Sequence, residues 1–131
     1  MFEVTARLKV RDGELEGFKH QAAEMMRLTR EKDTRTARYD WFLSDDGTEC
    51  EVREVYDDAD ALIEHSRHIA EARDKLFRDF ADDHTITFYA EPSPALAKAM
   101  EAMPAGAVQV NRFSLLQGLA ADINVLDEVL A

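Results

Sequence analysis

The chain has 131 residues, a formal net charge of −11, and 46% hydrophobic and 33% charged residues, which suits one domain around one hydrophobic core. The acidity and the lack of a basic stripe argue against a nucleic-acid partner, whose phosphates would be repelled. No apolar run approaches the ~20 residues that a membrane span needs. The single cysteine, Cys50, excludes an intrachain disulfide and a cysteine-rich zinc site. The opening "MFEVTARLKV" lacks the apolar core of a signal peptide, so the cytoplasm is the expected location.

Phe2, Val4, Ala6, Leu8 and Val10 alternate with polar residues, which predicts a first strand with one apolar face. "RDGELEG" offers Asp12 as a helix cap, with Glu14 and Glu16 in the first turn, where the helix dipole favours them. Leu15, Phe18, Ala22, Met25 and Thr29 form the expected buried stripe of a helix running to about Lys32. "TARYDWFLS" is the second strand, with Ala37, Tyr39, Trp41 and Leu43 on one side. Asp46-Gly47 then signals a tight hairpin whose two central residues take positive φ. "TECEVREVY" returns with Cys50, Val52, Glu54 and Tyr56 on one face. Asp57 or Asp58 caps a second long helix over about 58–80. "HTITFYAEP" is a fourth strand, "SPALAKAMEAM" a short helix opened by Ser93 and Pro94, and "AVQVNRFSLL" a fifth strand. The tail can form an amphipathic helix through Leu119, Ile123, Leu126 and Leu130.

The order β-α-β-β-α-β, then α-β and a tail, is that of the split βαβ, ferredoxin-like α+β class. It predicts an antiparallel sheet of four or five strands with both long helices on one face. No repeat or linker interrupts it, so residues 1–131 are read as a single domain. Its core covers about 2–92, and 93–131 append a helix, a strand and a C-terminal tail. The sheet's other face should carry Arg7, Lys9, Arg38, Asp40, Phe42, Arg53, Val55 and Tyr89. A simply solvated face is common in antiparallel sheets. Phe42, Val55 and Tyr89 exposed together are better explained by a second subunit, which predicts a homodimer through this helix-free face.

Within "LIEHSRHIA", His65 continues the helical stripe Leu62, Ile69, Ala72 and Leu76, while His68 lies roughly 60° off it at about 100° per residue. Such a histidine is either a core residue with a quiet hydrogen bond or the polar group of a ligand pocket. Glu54, between Val52 and Tyr56 on an inward face, needs a partner, because an unpaired buried carboxylate costs several kcal/mol. His65 is the nearest candidate. A Glu54–His65 pair would fix one imidazole tautomer, as for a general base, or serve as a structural polar pair. Tyr39, Trp41, Tyr56, Phe88 and Met25 either fill the core or line a cavity suited to a small, flat apolar or aromatic ligand.

Several chemistries are absent. "EHSRH" is not the His-Glu-x-x-His order of zinc peptidases, and a metal there would need a further convergent ligand. There is no glycine-rich phosphate loop, nucleophile elbow or dinucleotide fingerprint. Cys50, on an apolar strand face, should be inert. No metal or other cofactor is expected.

The segment "YDWFLSDDGTECEVREVYDDADALIEHSRH" resembles the antibiotic biosynthesis monooxygenase family of the dimeric α+β barrel superfamily. The likeness rests on Trp41, Asp46-Gly47, Glu54 and Tyr56, Asp57 and Asp58, Ala59 and Ala61, and His65. Glu54 and His65 keep the family's eleven-residue separation. In element order the resemblance covers roughly residues 2–92, and "YAEPSPAL" and "NRFSLLQG" look like the extensions of longer members. It implies a homodimer whose sheets pack face to face, and a pocket between sheet and helices in each subunit. Characterised relatives oxygenate phenolic or quinol-like compounds with dioxygen, using neither metal nor flavin, while others in the superfamily degrade haem or isomerise small lactones. The haem-degrading branch uses an Asn on the first strand, and this strand has none. The family's second histidine stands further from the first than His68 does, so its role is not carried over. Two classes remain: a cofactor-independent oxygenase with His65 as base and Glu54 favouring its imidazolium, and a non-catalytic dimeric binding or sensing module using the same pocket.

Overall fold

The computed structural model describes residues 1–104, 106–120 and 125–130. Its elements are β1 (Phe2–Val10), α1 (Leu15–Lys32), β2 (Thr36–Leu43), β3 (Glu49–Tyr56), α2 (Ala59–Asp79), β4 (Ala81–Phe88), α3 (Pro94–Glu101), β5 (Gln109–Arg112) and α4 (Val125–Leu130). The sheet has five strands in the order β2-β3-β1-β4-β5. The first four pair antiparallel, but β5 runs parallel to β4. This corrects the expectation of a wholly antiparallel sheet. α3 intervenes between β4 and β5, and a helical crossover returns the chain in the same direction.

Alternation along β1 sends Phe2, Val4, Ala6, Leu8 and Val10 inward, all buried. Ala6, Leu8 and Val10 pack with Phe18 and Met25 of α1 and with Ile69, Ala72 and Leu76 of α2, while Phe2 and Val4 pack with Leu62 of α2 and Leu96 of α3, so both long helices cover the same face. Register carries the inward set across the sheet. Tyr39 pairs with Glu54, Glu54 with Val4, and Val4 with Phe88. The next row is Trp41, Val52, Ala6 and Ile86. Between Arg7 and Lys9 the β1–β4 register shifts, and Asp83 there has a φ of 57°. The extra residue resets the pleat, so that His84, Ile86 and Phe88 share the cavity side with Ala6 and Val4.

Local chemistry accounts for several ends. Asp58 caps α2, its carboxylate accepting from the Ala61 amide, and Ser93 caps α3 ahead of Pro94. Asp12 does not cap α1. Gly13 turns the chain at a φ of 77°, which puts Glu14 at the cap position with no side-chain bond. The β2–β3 connection is also looser than a two-residue hairpin. Residues Ser44–Gly47 form a turn closed from the Gly47 amide to the Ser44 carbonyl at 2.9 Å. Of the pair Asp46-Gly47 only the glycine has positive φ, at 73°. Asp46 instead accepts bonds from Ser44 and Thr48.

Two expected stripes are altered. In α1 Gln21 is buried alongside the expected Thr29, and its amide donates to the Ala72 carbonyl at 2.9 Å and pins α1 to α2, while Leu15 and Ala22 are only half-buried. In β2, Tyr39 is buried and Trp41 half-buried, but Ala37 and Leu43 are exposed. The register breaks between Thr36 and Arg38, and this strand is the sheet's edge. Of the expected tail helix, Leu119 is non-helical, Ile123 lies outside the described residues, and Leu126 and Leu130 sit exposed on α4. No helix among the described residues is long and apolar enough to cross a membrane.

Candidate functional site

The helical stripe of α2 places His65 over the first row of the sheet. Its side chain is buried, 2% exposed, between the rings of Tyr39 at 4.6 Å and Tyr56 at 5.5 Å. Its Nδ1 lies 2.7 Å from Oδ2 of Asp33. Asp33 ends α1 with an extended backbone, and its carboxylate also lies 2.6 Å from Nδ1 of His68 and accepts the Thr36 hydroxyl at 2.7 Å. Burial alone would raise the Asp33 pKa. Hydrogen bonds from His68 and Thr36 and the attraction of His65 more than offset that and hold it below its ordinary value.

An ionised carboxylate only accepts, so Nδ1 of each histidine carries the proton. Burial depresses the His65 pKa, overriding the opposite pull of Asp33. The ring is therefore neutral near pH 7, with the lone pair on Nε2. Among the described residues Nε2 has no hydrogen-bond partner.

Glu54 does not pair with His65, contrary to the expected bond. Tyr56, two residues on along the same face of β3, donates its hydroxyl to Glu54 instead. His65 is drawn to the end of α1, where Asp33 waits. Burial pushes the Glu54 carboxyl up to about 7, with repulsion from Asp33 adding to it and the Tyr56 bond opposing it. Burial, then Glu54, also raises the Tyr39 phenol well above 10.

Above these rows lies a cavity of about 440 Å³ between the sheet, α2 and α3. Of the candidate residues, Met25, Tyr39, Trp41, Glu54, His65 and Phe88 line it. Tyr56 does not. It sits behind Glu54, fully buried. Among the described residues the Trp41 Nε1 is buried without a hydrogen-bond partner, a donor left over in the wall. Leu96, Met100 and Met103 close the cavity from α3 and the turn after it, and Arg73 and His84 supply further polar groups.

Sequence reading missed Asp33, one of 27 acids in the chain, within "REKDTR". Its only signal is its position just after a helix, where a short side chain can fold back on the neighbouring helix. Asp33, Glu64 and His68 bring one donor atom each within 4.8 Å of one another. Each is already engaged by protein groups, Glu64 by Thr34 and Arg35 and the other two by each other. The cluster therefore forms a hydrogen-bond network at the end of α1.

A four-stranded ferredoxin-like core with both helices on one face and a cavity between them defines the class of fold. The antibiotic biosynthesis monooxygenase family model matches residues 1–82, and the chain belongs to that family. Among solved structures it is similar to MupZ from Pseudomonas fluorescens, with 23% identity and a TM-score of 0.72 over 92% of this chain and 94% of that one. It is also similar to Rv0793 from Mycobacterium tuberculosis, with 26% identity and a TM-score of 0.60 over 72% and 97%. A search of curated proteins finds no match. Family membership supports a monooxygenase-like or small-molecule-binding role.

Proposed function

We propose that the cavity takes a small phenolic or quinol-like ring and that the protein oxygenates it with dioxygen, with His65 as general base. One observation carries the reading. A buried, neutral imidazole is held by Asp33 through Nδ1, and its Nε2 has no partner among the described residues in the wall of a mostly apolar cavity. Asp33, rather than Glu54, would then stabilise the imidazolium.

In the proposed reaction, Nε2 removes a proton from an acidic ring O–H or ring-activated CH₂. The resulting anion gives one electron to dioxygen, and the two radicals join through a new C–O bond. Loss of the remaining proton and cleavage of O–O leave a carbonyl and one water, so CH₂ plus O₂ becomes C=O plus H₂O. The substrate supplies all the electrons. Glu54, with a pKa of about 7, can hand a proton to the departing oxygen.

The other partner is a second copy of this chain. Members of the family are typically dimeric, and the helix-free face exposes Phe42 and Tyr89 at 49% and 45% beside the mixed charges of Glu3, Arg38 and Arg53.

His65→Leu tests the chemistry, because leucine completes the apolar stripe while removing the base. With anthrone or hydroquinone in an oxygen electrode, its rate should fall by about 10²- to 10⁴-fold with the fold intact by circular dichroism. An equally active and more stable His65→Leu defeats the base assignment. If the native protein binds such rings but consumes none, it is a binding or sensing module.

A further inference from the structure

Three arginines are half-buried: Arg11, Arg35 and Arg73. Arg11 is held by Asp82 at 3.0 Å and by the carbonyls of Phe77 and Arg78. Arg35 is held by Asp58 at 3.2 Å and Glu64 at 3.5 Å. Arg73 has no ion pair and no side-chain hydrogen bond among the described residues, in a chain with 27 acidic residues. Yet it lines the cavity. A partly desolvated guanidinium without a carboxylate is a costly arrangement unless something else meets it.

The surroundings fit an anion. His84, turned to the cavity side by the irregularity in β4, lines the same end and stacks on Phe77 at 4.4 Å. Burial, then the charge of Arg73, lowers its pKa to about 4, so it is a neutral N–H donor at pH 7. Neither ring nitrogen of His84 has a hydrogen-bond partner among the described residues. Among the described residues no carboxylate other than Glu54 lines the cavity. Along α2, Arg73 lies eight residues beyond His65, roughly 12 Å on the helix axis. Helical Cα–Cβ bonds tilt towards the N terminus, and both residues line the same cavity.

We infer that the cavity's ligand is a ring compound bearing an acidic group, with the ring against His65, Tyr39 and Trp41 and the anion received by Arg73 and His84. This rests on the reading of the cavity as a ring-binding site and adds the substrate's charge to it. A planar carboxylate meets the guanidinium through two parallel N–H···O bonds, which fixes which end of the ring faces Nε2 of His65.

The test uses the isosteric pair 2-naphthoate and 2-naphthamide, titrated calorimetrically into the full chain at neutral pH. Native protein should prefer the naphthoate by about tenfold or more, the scale of one charge-assisted hydrogen bond. Arg73→Met should bring the two affinities together while circular dichroism stays native, and Arg73→Lys should keep part of the preference. Equal affinities in native protein, or a preference that Arg73→Met leaves intact, overturn the inference and leave the ring site standing. An Arg73 that serves only an oxyanion on the ring gives that same intact preference, and in addition Arg73→Met raises the pKa of bound 2-naphthol. If neither naphthalene binds, the ring-site reading fails and the inference with it.

Discussion

Asp33→Asn isolates what the buried carboxylate does for His65. In the native protein one Asp33 oxygen lies 2.7 Å from Nδ1 of His65, the other 2.6 Å from Nδ1 of His68, and the side chain is 3% exposed. Two unit charges about 4 Å apart attract by ~4 kcal/mol at an effective dielectric of about 20. The carboxylate is shared with His68 and Thr36, and an amide oxygen keeps part of the bond, so about half of this should be lost. That is ~2 kcal/mol, or about 1.5 pKa units. The His65 pKa, already depressed by burial, should fall further by that amount, which a histidine NMR titration assigned against His65→Leu would show. The rate with an oxidisable ring should drop on the order of a hundredfold, because the base is weaker and the amide can hold the wrong tautomer. In the serine-protease triad the same change costs ~10⁴. A folded Asp33→Asn protein whose His65 pKa stays put or rises would refute the assignment of Asp33 as the orienting group.

Gly17→Ala should destabilise by about 1–3 kcal/mol despite alanine's better helix propensity, because the new Cβ would sit 2.3 Å from Cε1 of Phe80. Phe80→Leu in the same chain should recover part of the loss in a thermal melt. Light scattering should give about twice the 14.9 kDa chain mass. Phe42→Lys, on the exposed helix-free face, should shift that mass towards the monomer without changing the far-ultraviolet spectrum.

What was legible in the sequence follows periodicity. The alternation of β1 and β3 and the stripe Leu62, His65, Ile69, Ala72 and Leu76 fix which side chains turn inward, and all of those in α2 are buried. This was enough to bring Glu54 and His65 to one cavity. It could not reveal their partners. Tyr56 meets Glu54 because both lie on one face of β3 two residues apart, a contact hidden by reading Tyr56 as pocket wall. Asp33 reaches His65 across 32 residues of chain, and no local pattern marks a helix-terminal acid as buried. His84 escaped for a different reason. Strict alternation from Ala81, which is inward and buried, would send His84 outward, and only the irregularity at Asp83 reverses it. The parallel β5 was similarly invisible, since strand direction depends on how α3 packs and not on the composition of "VQVNRF".

The titrating groups of the cavity oppose one another, and this gives a test that needs no substrate. Glu54 is raised from 4.5 to about 7, so between those values the native state holds more protons than the unfolded chain. Its effect is to weaken the fold as pH rises through that window, by up to ~3 kcal/mol. His84 is lowered from 6.5 to about 4. Its contribution is intact above 6.5 and is lost as pH falls towards 4, again by up to ~3 kcal/mol. His65, also lowered, acts in the same sense as His84. Between about pH 5 and 6.5 Glu54 therefore offsets His84, and native stability should rise with pH only by the share that His65 adds. Glu54→Gln removes one side of the balance. Its urea midpoint should climb steadily with pH over this range and exceed the native midpoint above pH 7, less about 1 kcal/mol for the weakened Tyr56 bond. His84→Gln should tilt the profile the other way. If the Glu54→Gln profile rises no more steeply with pH than the native one, the carboxyl does not titrate near neutrality. It could not then return a proton to a leaving oxygen, and only His65 would remain for the proton chemistry of the cavity.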